Sequence, residues 1–324
     1  MQYKTLIFSA LFLALTQSPS VGHAQAGPSS PGITDQKVGI YAITVGNAQI
    51  TALSDGTVPQ DLHALLHGTT NDNTDALLKK GYLSNPVELS LNAFLLRIDG
   101  RTVLIDTGAG QLYGPGYGGK LLASLSAAGV SPAQVTDILL THLHDDHMGG
   151  LVQDGKIVFN NATVHVGQPD LDFFLDRSNS AKAHYDMKYF DEAFKTVKLY
   201  VDAGKVQSFQ GTSEIMPGVT ATVHPGHTPG SAFYTVQSEG QKIIFVGDIV
   251  HVAAVQFPQP TITIDYDVDP RSAAKTRQQS FATFAHDRTL IAVPHMPYPG
   301  IGHVRQVGSG YQWIPIEYGN RSTK

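Results

Sequence analysis

Short runs of apolar residues, some alternating with polar residues and some continuous, recur along most of the chain, and turn residues separate them. Alternation with a period of two is typical of half-buried strands, and short continuous runs between turns are typical of buried strands. Strands are therefore predicted over residues 38–57, with turns at Gly46-Asn47 and Asp55-Gly56, and over residues 89–98, 101–106, 137–141, 162–167, 219–224, 232–237, 242–246 and 289–293.

Helical spacing of apolar residues is found between several of these strands. Glycine often follows the last turn of a helix, and serine before proline is a common start, so both residue types help to place helix ends. One helix is expected to begin at Leu121 and to stop before Gly129, and a short one to begin at Ser131-Pro132. Longer helices are predicted over residues 169–177, 186–203 and 271–286.

The N-terminus has the pattern of a secretory signal peptide. Lys4 precedes an apolar run from Leu6 to Leu15, and small residues follow as far as Ala24 and Ala26, either of which suits cleavage. Ten apolar residues are too few to span a bilayer as a helix, so no permanent membrane anchor is expected. The sequence predicts a signal peptide over residues 1–26, a flexible leader over residues 27–37 and a periplasmic or secreted protein.

Composition excludes several kinds of chemistry. The 324 residues include no cysteine, so thiolate metal sites, disulfides and a cysteine nucleophile are absent. A formal net charge of −5 without long runs of either sign argues against a nucleic-acid partner. The chain has 14 histidines, several of them clustered, so any metal must be bound by nitrogen and oxygen.

The strongest motif is His-x-His-x-Asp-His, which places His142, His144, Asp146 and His147 directly after a predicted buried strand. Three histidines and one aspartate at these offsets are expected by chance in roughly one sequence in 600 of this composition. Because the strand ends in a turn, the first two histidines and the last two residues can face different ions. The motif therefore predicts a metal site with room for two adjacent ions.

Three further candidates follow predicted strands later in the chain. His227 lies in a loop rich in glycine and proline and supplies the extra ligand that a His-x-His pair needs. Asp248 follows the second hairpin, where its two oxygens can bridge two ions, and His295 follows the next strand and completes the second set.

These residues, in this order, resemble the binuclear metallo-β-lactamase superfamily of hydrolases over nearly the whole mature chain. More narrowly, four segments look like the branch that contains methyl parathion hydrolase and dihydrocoumarin hydrolase. They are Ile50–Thr57 (ITALSDGT), Gly226–Gly230 (GHTPG), Val252–Phe257 (VAAVQF) and Pro299–His303 (PGIGH).

The resemblance implies an α/β fold, a four-layer αβ/βα metallo-β-lactamase sandwich formed as a single domain by residues 38–324. It implies that one ion is held by His142, His144 and His227, that the other is held by Asp146, His147 and His295, and that Asp248 bridges them. Asp106 matches the superfamily position whose carboxylate orients a ligand histidine through its other ring nitrogen. A cap for the following turn is the alternative role of Asp106.

Two divalent ions that share a water lower its pKa enough to supply hydroxide at neutral pH, so no nucleophilic side chain is required. The expected reaction is attack of that bridging hydroxide on an electrophilic carbonyl or phosphorus, with Asp146 and Asp248 as the carboxylates of the catalytic centre. Zinc is the expected metal because histidine and carboxylate ligands suit it, although manganese, iron and cobalt fit the same ligands.

Alignment to the branch assigns the substrate pocket to Tyr113, Phe174, His251, Ile264 and Tyr266. The organophosphate-hydrolysing members look to have Leu at His251, Thr and Leu at Ile264 and Tyr266, and Arg near Leu65. These departures favour a lactonase or arylesterase of the dihydrocoumarin-hydrolase kind over a phosphotriesterase. A buried, hydrogen-bonded histidine is the alternative role of His251.

Three functions follow from the sequence: a lactone or aryl-ester hydrolase, an organophosphate triester hydrolase, and a non-catalytic metal-binding protein of the same fold. The complete set of seven ligand positions favours an enzyme with a small-molecule substrate. The resemblance is also consistent with a homodimer.

Overall fold

The computed structural model describes residues 36, 37 and 39–320. The predicted signal peptide lies outside the described residues, as does nearly all of the predicted leader. Among the described residues, none of the helices combines the length and the apolar character needed to cross a membrane.

The strands in the described part of the chain include one in every predicted strand segment and add others in the middle of the chain and towards its C-terminal end. In chain order they are β1 (Ile40–Val45), β2 (Ala48–Gln60), β3 (Leu66–His67), β4 (Val87–Ile98), β5 (Arg101–Ile105), β6 (Asp137–Leu139), β7 (Val152–Gln153), β8 (Lys156–Ile157), β9 (Thr163–Gly167), β10 (Val206–Phe209), β11 (Thr212–Met216), β12 (Val219–Val223), β13 (Ala232–Ser238), β14 (Gln241–Phe245), β15 (Thr263–Ile264), β16 (Leu290–Ala292), β17 (Ile301–Val307) and β18 (Gly310–Pro315).

The helices of the described residues are mostly short, and single turns of 3₁₀ helix occupy Pro132–Gln134 and Gly149–Leu151. The α-helices are α1 (Leu62–Leu65), α2 (Asn71–Lys80), α3 (Leu121–Ala127), α4 (Asp145–Met148), α5 (Gln168–Phe174), α6 (Ser178–Ala183), α7 (Met187–Lys195), α8 (Val197–Asp202), α9 (Ala253–Gln256) and α10 (Pro270–Asp287).

Two seven-stranded sheets dominate the described residues. The first has the strand order β1-β2-β4-β5-β6-β9-β10, antiparallel from β1 to β5 and parallel from β5 to β10. The second has the order β11-β12-β13-β14-β16-β17-β18, in which only the β14–β16 pair is parallel. The parallel connections carry helices, which therefore cover the outer faces of the sheets.

The two sheets pack face to face around a shared apolar core. Phe94 of β4 and Phe245 of β14 meet there with ring centroids 5.2 Å apart. Because successive side chains of a strand point to opposite faces, the neighbours Ala93 and Leu95 instead pack outwards against helices α3, α5, α7 and α8. Helix α10 covers the other sheet. The predicted four-layer αβ/βα sandwich is confirmed.

One predicted turn is wrong, because Asp55-Gly56 is a β-bulge inside the thirteen-residue strand β2. The Asp55 carboxylate accepts hydrogen bonds from the backbone N–H groups of Ala109, Gly119 and Leu121. Gly56 has φ of +120°, which a side chain would strain. The bulge thus turns Asp55 towards the loop after β5 without ending the strand.

The predicted helix over residues 186–203 is two helices, α7 and α8, which meet at Thr196. The backbone of Thr196 has φ −119° and ψ −88°, outside the helical region. Helix α2 was not predicted because its apolar face consists of little more than Leu77 and Leu78. The β17–β18 hairpin was also missed.

Candidate metal centre

The candidate ligands lie in loops that follow strands, so the sheets bring them together from distant parts of the sequence. The His-x-His-x-Asp-His motif follows β6 and runs into helix α4. His227 follows β12, Asp248 follows β14 and His295 follows β16. These strands lie in both sheets, and their loops converge at one edge of the sandwich.

His142, His144 and His227 form one buried cluster of imidazoles. His144 Nδ1 lies 3.1 Å from His142 Nε2 and 3.0 Å from His227 Nε2. The outer nitrogens face Thr141 Oγ1, Tyr185 Oη and Asp267 Oδ1 at 3.1, 2.8 and 2.9 Å. When these outer nitrogens carry the protons, the three inner lone pairs converge on one point, as metal ligation requires.

Asp146, His147 and His295 form the second cluster. Asp146 Oδ1 lies 3.5 Å from His147 Nε2, and Asp146 Oδ2 lies 3.4 Å from His295 Nε2. The outer nitrogens again have acceptors: His147 Nδ1 donates to Asp106 Oδ2 and His295 Nδ1 donates to Ser90 O, each at 2.9 Å. Asp106 thus orients His147, and it also accepts from the backbone of Thr141.

Asp248 lies between the two clusters. Its Oδ2 atom is 3.0–3.7 Å from the Nε2 atoms of His142, His147, His227 and His295. One carboxylate oxygen cannot accept hydrogen bonds from so many imidazoles. Asp248 Oδ1 and His147 Nε2 are moreover buried without a hydrogen-bond partner among the described residues. A donor set of imidazole nitrogen and carboxylate oxygen suits divalent transition metals. The two clusters are therefore suited to a dinuclear metal site.

A cavity of about 340 Å³ opens over this centre. Of the five predicted pocket residues, Tyr113, His251 and Tyr266 line it, and Tyr189 and Lys188 of α7 also contribute. Phe174 and Ile264, the other two predicted pocket residues, are not among the residues that line the cavity in the described part of the chain. Both side chains are fully buried in apolar clusters of the core, Phe174 against His144 and Ile264 in the short β3–β15 pairing.

Residues 87–295 match the model of the metallo-beta-lactamase superfamily. The chain belongs to this superfamily. Among solved structures, the hydrolase AbOPH of the beta lactamase superfamily is 38% identical, with a TM-score of 0.83 over 88% of this chain and 100% of that one. AidC, a dizinc quorum-quenching lactonase in complex with the product N-hexanoyl-L-homoserine, is 26% identical, with a TM-score of 0.81 over the same shares.

Sequence relatives within the superfamily have more than one activity. Ribonuclease TTHA0252 of Thermus thermophilus is 27% identical over 184 residues, 54% of this chain and 38% of its own length. The N-acyl homoserine lactonase of Bacillus cereus is 24% identical over 127 residues, 39% of this chain and 43% of its own length. The chain thus spans less than half the length of these two relatives. The superfamily is one of metal-dependent hydrolases, and the narrower branch seen in the sequence stays a prediction.

The fold places a buried hydrogen bond and a buried ion pair behind the metal centre that the sequence did not predict. Asp267 accepts from His227 Nδ1, and its other oxygen lies 3.7 Å from the guanidinium of Arg277. Arg277 of α10 is fully buried and donates to the backbone carbonyls of Ile249, Pro260 and Ile262. No motif marks these residues, because 40 residues separate Asp267 from His227.

Asp170 joins the loops of two predicted ligands. Its carboxylate accepts from Leu143 N at 3.1 Å, from Thr228 Oγ1 at 2.9 Å and from Gly230 N. Burial raises the pKa of Asp170 to about 6, although these hydrogen bonds oppose the rise. The residue therefore fixes the motif loop against the His227 loop.

The two clusters differ in how their imidazoles bind protons. Burial lowers the pKa of His142 and His144 well below the ordinary value, so both are neutral at pH 7. Burial also opposes the charged forms of His147 and His295, but the Asp248 and Asp146 carboxylates outweigh it. They raise the pKa of His147 well above its ordinary value and that of His295 to about 9.

Metal binding at pH 7 is therefore expected to release about two protons per chain from these imidazoles, because ligation requires neutral imidazole and His147 and His295 are protonated in metal-free protein. The apparent affinity should rise with pH as His147 and His295 lose their protons, the latter with a pKa of about 9, and should fall on acidification. Calorimetric zinc titrations in two buffers of different ionisation enthalpy measure the released protons. Heats that do not depend on the buffer would contradict the raised pKa values.

Proposed function

We propose that this chain is a dinuclear metal-dependent hydrolase that opens lactones and cleaves aryl esters. The observation that carries the proposal is the pairing of two ligand clusters through Asp248 on the floor of a cavity whose wall includes Tyr113, Tyr189 and Tyr266. The resemblance to AidC, a lactonase by its name, supports the same reaction class.

In this proposal His142, His144 and His227 hold one ion, Asp146, His147 and His295 hold the other, and Asp248 bridges them. The structure fits both sets. Each of their five histidines has one ring nitrogen within hydrogen-bond distance of a neighbouring oxygen, which leaves the other nitrogen to bind an ion. Zinc is the metal we propose, by its preference for imidazole and carboxylate ligands. When bound, the pair supplies an activated water and a Lewis acid for the carbonyl oxygen.

The protein contributes orientation and exclusion of water. The rings of Tyr113, Tyr189 and Tyr266 supply flat apolar surface for an aryl or acyl group. Burial raises the pKa of each of these phenols above its ordinary value, so all three remain hydrogen-bond donors at neutral pH. Tyr266 already donates to Gln60 Oε1 at 2.8 Å, which fixes its ring in the wall.

The size and charge of the cavity favour a small neutral substrate. A volume of about 340 Å³ is near the lower end for small-molecule pockets, about 300–1,000 Å³, and therefore suits a small substrate. Among the described residues, Lys188 is the one lysine or arginine that lines the cavity. Its ammonium lies 2.8 Å from Asp145 Oδ2. A nucleic-acid site would need a positively charged groove, and one lysine does not form one. The resemblance to ribonucleases therefore does not assign a nucleic-acid substrate to this chain.

The test is steady-state hydrolysis of dihydrocoumarin, N-hexanoyl homoserine lactone and methyl parathion by one zinc-loaded preparation. We expect the lactones to be hydrolysed with kcat/KM at least about tenfold above that for methyl parathion, and chelation to abolish all turnover. Readdition of zinc should restore it.

Faster hydrolysis of methyl parathion would reverse the substrate assignment and retain the metal chemistry. Turnover that survives chelation would contradict the metal-dependent mechanism itself. Two metal ions per chain without turnover of any of the three substrates would support a binding protein instead.

A further inference from the structure

His251 is an additional buried imidazole beside the centre. Its side chain is only 2% exposed, and its Nε2 atom lies 3.2 Å from Asp248 Oδ2. His147 Nε2 and His295 Nε2 lie 3.2 and 3.0 Å from the same oxygen. His251 therefore stands as close to the shared carboxylate as two of the proposed ligands do.

The distance of 3.2 Å between His251 Nε2 and Asp248 Oδ2 is the one expected between two ligand atoms of a single ion. Donor atoms held at about 2.0–2.2 Å from a metal are about 3.0–3.5 Å apart in tetrahedral to octahedral geometry. His227, Asp248 and His251 each offer a ligand atom, and these atoms all lie within 4.8 Å of one another. The ring of His251 is nearly parallel to that of His295, with the centroids 5.1 Å apart, and both turn Nε2 towards Asp248.

The ring nitrogens of His251 give a second, independent observation. Both are buried and neither has a hydrogen-bond partner in the described part of the chain. Buried polar atoms without partners are costly, and coordination of an ion would satisfy Nε2. Tyr266 and His251 both line the cavity, so His251 lies on the cavity side of the centre.

We propose that His251 is a further metal ligand, which binds through Nε2 together with His227 and Asp248 on the cavity side of the centre. This ligand set rests on the proposed metal-dependent function and adds an imidazole to it. Among the residues that the structure describes, no acceptor orients the Nδ1 atom of His251, unlike the outer nitrogens of the other imidazoles. Since such outer partners strengthen ligation, His251 is the weakest of the imidazole ligands and the first to leave the ion.

Proton NMR of the cobalt(II)-loaded protein tests the proposal directly. Each imidazole bound to cobalt gives a hyperfine-shifted N–H resonance that disappears in D₂O. The other proposed ligands are five histidines, His142, His144, His147, His227 and His295, so six such resonances are expected for the wild-type protein with His251 bound. His251→Leu should show one resonance fewer, and His251→Gln should do the same if the leucine variant does not fold.

The matched control is His224→Gln. His224 lies three residues before His227, but its ring stacks on Phe233 at 3.9 Å and it belongs to none of the ligand groups. Its substitution should leave the number of shifted resonances unchanged. Competition with a chromophoric chelator should show one zinc ion bound about tenfold more weakly in His251→Leu than in this control.

Equal resonance counts in the wild-type protein and both His251 variants would overturn the assignment of His251 and leave the metal pair intact. Absence of any shifted resonance from cobalt-treated wild-type protein would instead contradict the proposed function together with it. The two failures are thus distinguished by the spectrum of the unaltered protein.

Discussion

Asp248→Ala is expected to lose most of its bound metal and to lower kcat/KM for the lactone by more than about a hundredfold. The substitution removes the oxygen on which Nε2 atoms of both clusters converge, at 3.0–3.7 Å. Removal of a group that only hydrogen-bonds to a metal ligand weakens metal binding about 10–100-fold. Removal of the shared carboxylate should therefore weaken it more. Metal analysis after gel filtration, together with steady-state kinetics, measures both effects.

Asp145→Asn is the matched control for this prediction. Asp145 is equally buried and adjoins the motif, but its carboxylate faces Lys188 and the Tyr113 hydroxyl and belongs to none of the ligand groups. This variant should keep two metal ions per chain. Asp248→Ala with full metal occupancy and unchanged kinetics would remove Asp248 from the bridging role.

Arg277→Leu is expected to lower the free energy of unfolding by about 3–5 kcal/mol, because it leaves a buried charge on Asp267 without its partner. It also removes one hydrogen-bond donor from each of three backbone carbonyls. Asp267 orients His227, so zinc affinity should fall as well. Urea unfolding at one fixed zinc concentration measures the first effect, since bound metal itself adds stability.

Arg271→Leu provides the comparison, because it removes the same side chain from the exposed surface of the same helix. Arg271→Leu should change the free energy of unfolding by no more than about 0.5 kcal/mol. The loss of unfolding free energy in Arg277→Lys should lie between those of Arg271→Leu and Arg277→Leu. Lysine keeps the charge but cannot donate hydrogen bonds along several fixed directions. Equal unfolding midpoints for Arg277→Leu and Arg271→Leu would show that the buried pair adds no stability.

Asp267 and Asp248 illustrate what the sequence revealed about the site. Asp248 was identifiable because it follows a predicted hairpin and completes a known order of ligand types. Asp267 follows no motif, and its partners His227 and Arg277 are fixed only by the packing of α10 against the loops. The sequence shows which residue types follow each strand, whereas tertiary packing decides which side chains stand behind the ligands.

The pocket shows the same limit. Phe174 and Tyr189 both lie in aromatic helices, yet only Tyr189 lines the cavity, while Phe174 packs inside the core. Which face of a short helix turns inwards depends on the helices and strands packed against it, and helical spacing alone does not distinguish an apolar core from an apolar pocket. The same holds for Ile264, whose neighbour Tyr266 reaches the cavity.

The sequence by itself determined most of the strands and the set of chemical groups that follow them, and its resemblance to the metallo-β-lactamase superfamily implied the sandwich. Strand periodicity, turn residues and the six-residue motif are local properties, because each depends only on residues that are close together in the sequence. Tertiary structure alone decided that Asp55-Gly56 is a bulge, that Arg277 lies buried behind His227 and that His251 turns Nε2 towards Asp248. Those outcomes depend on contacts between residues far apart in the chain, and such contacts exist only once both sheets have packed.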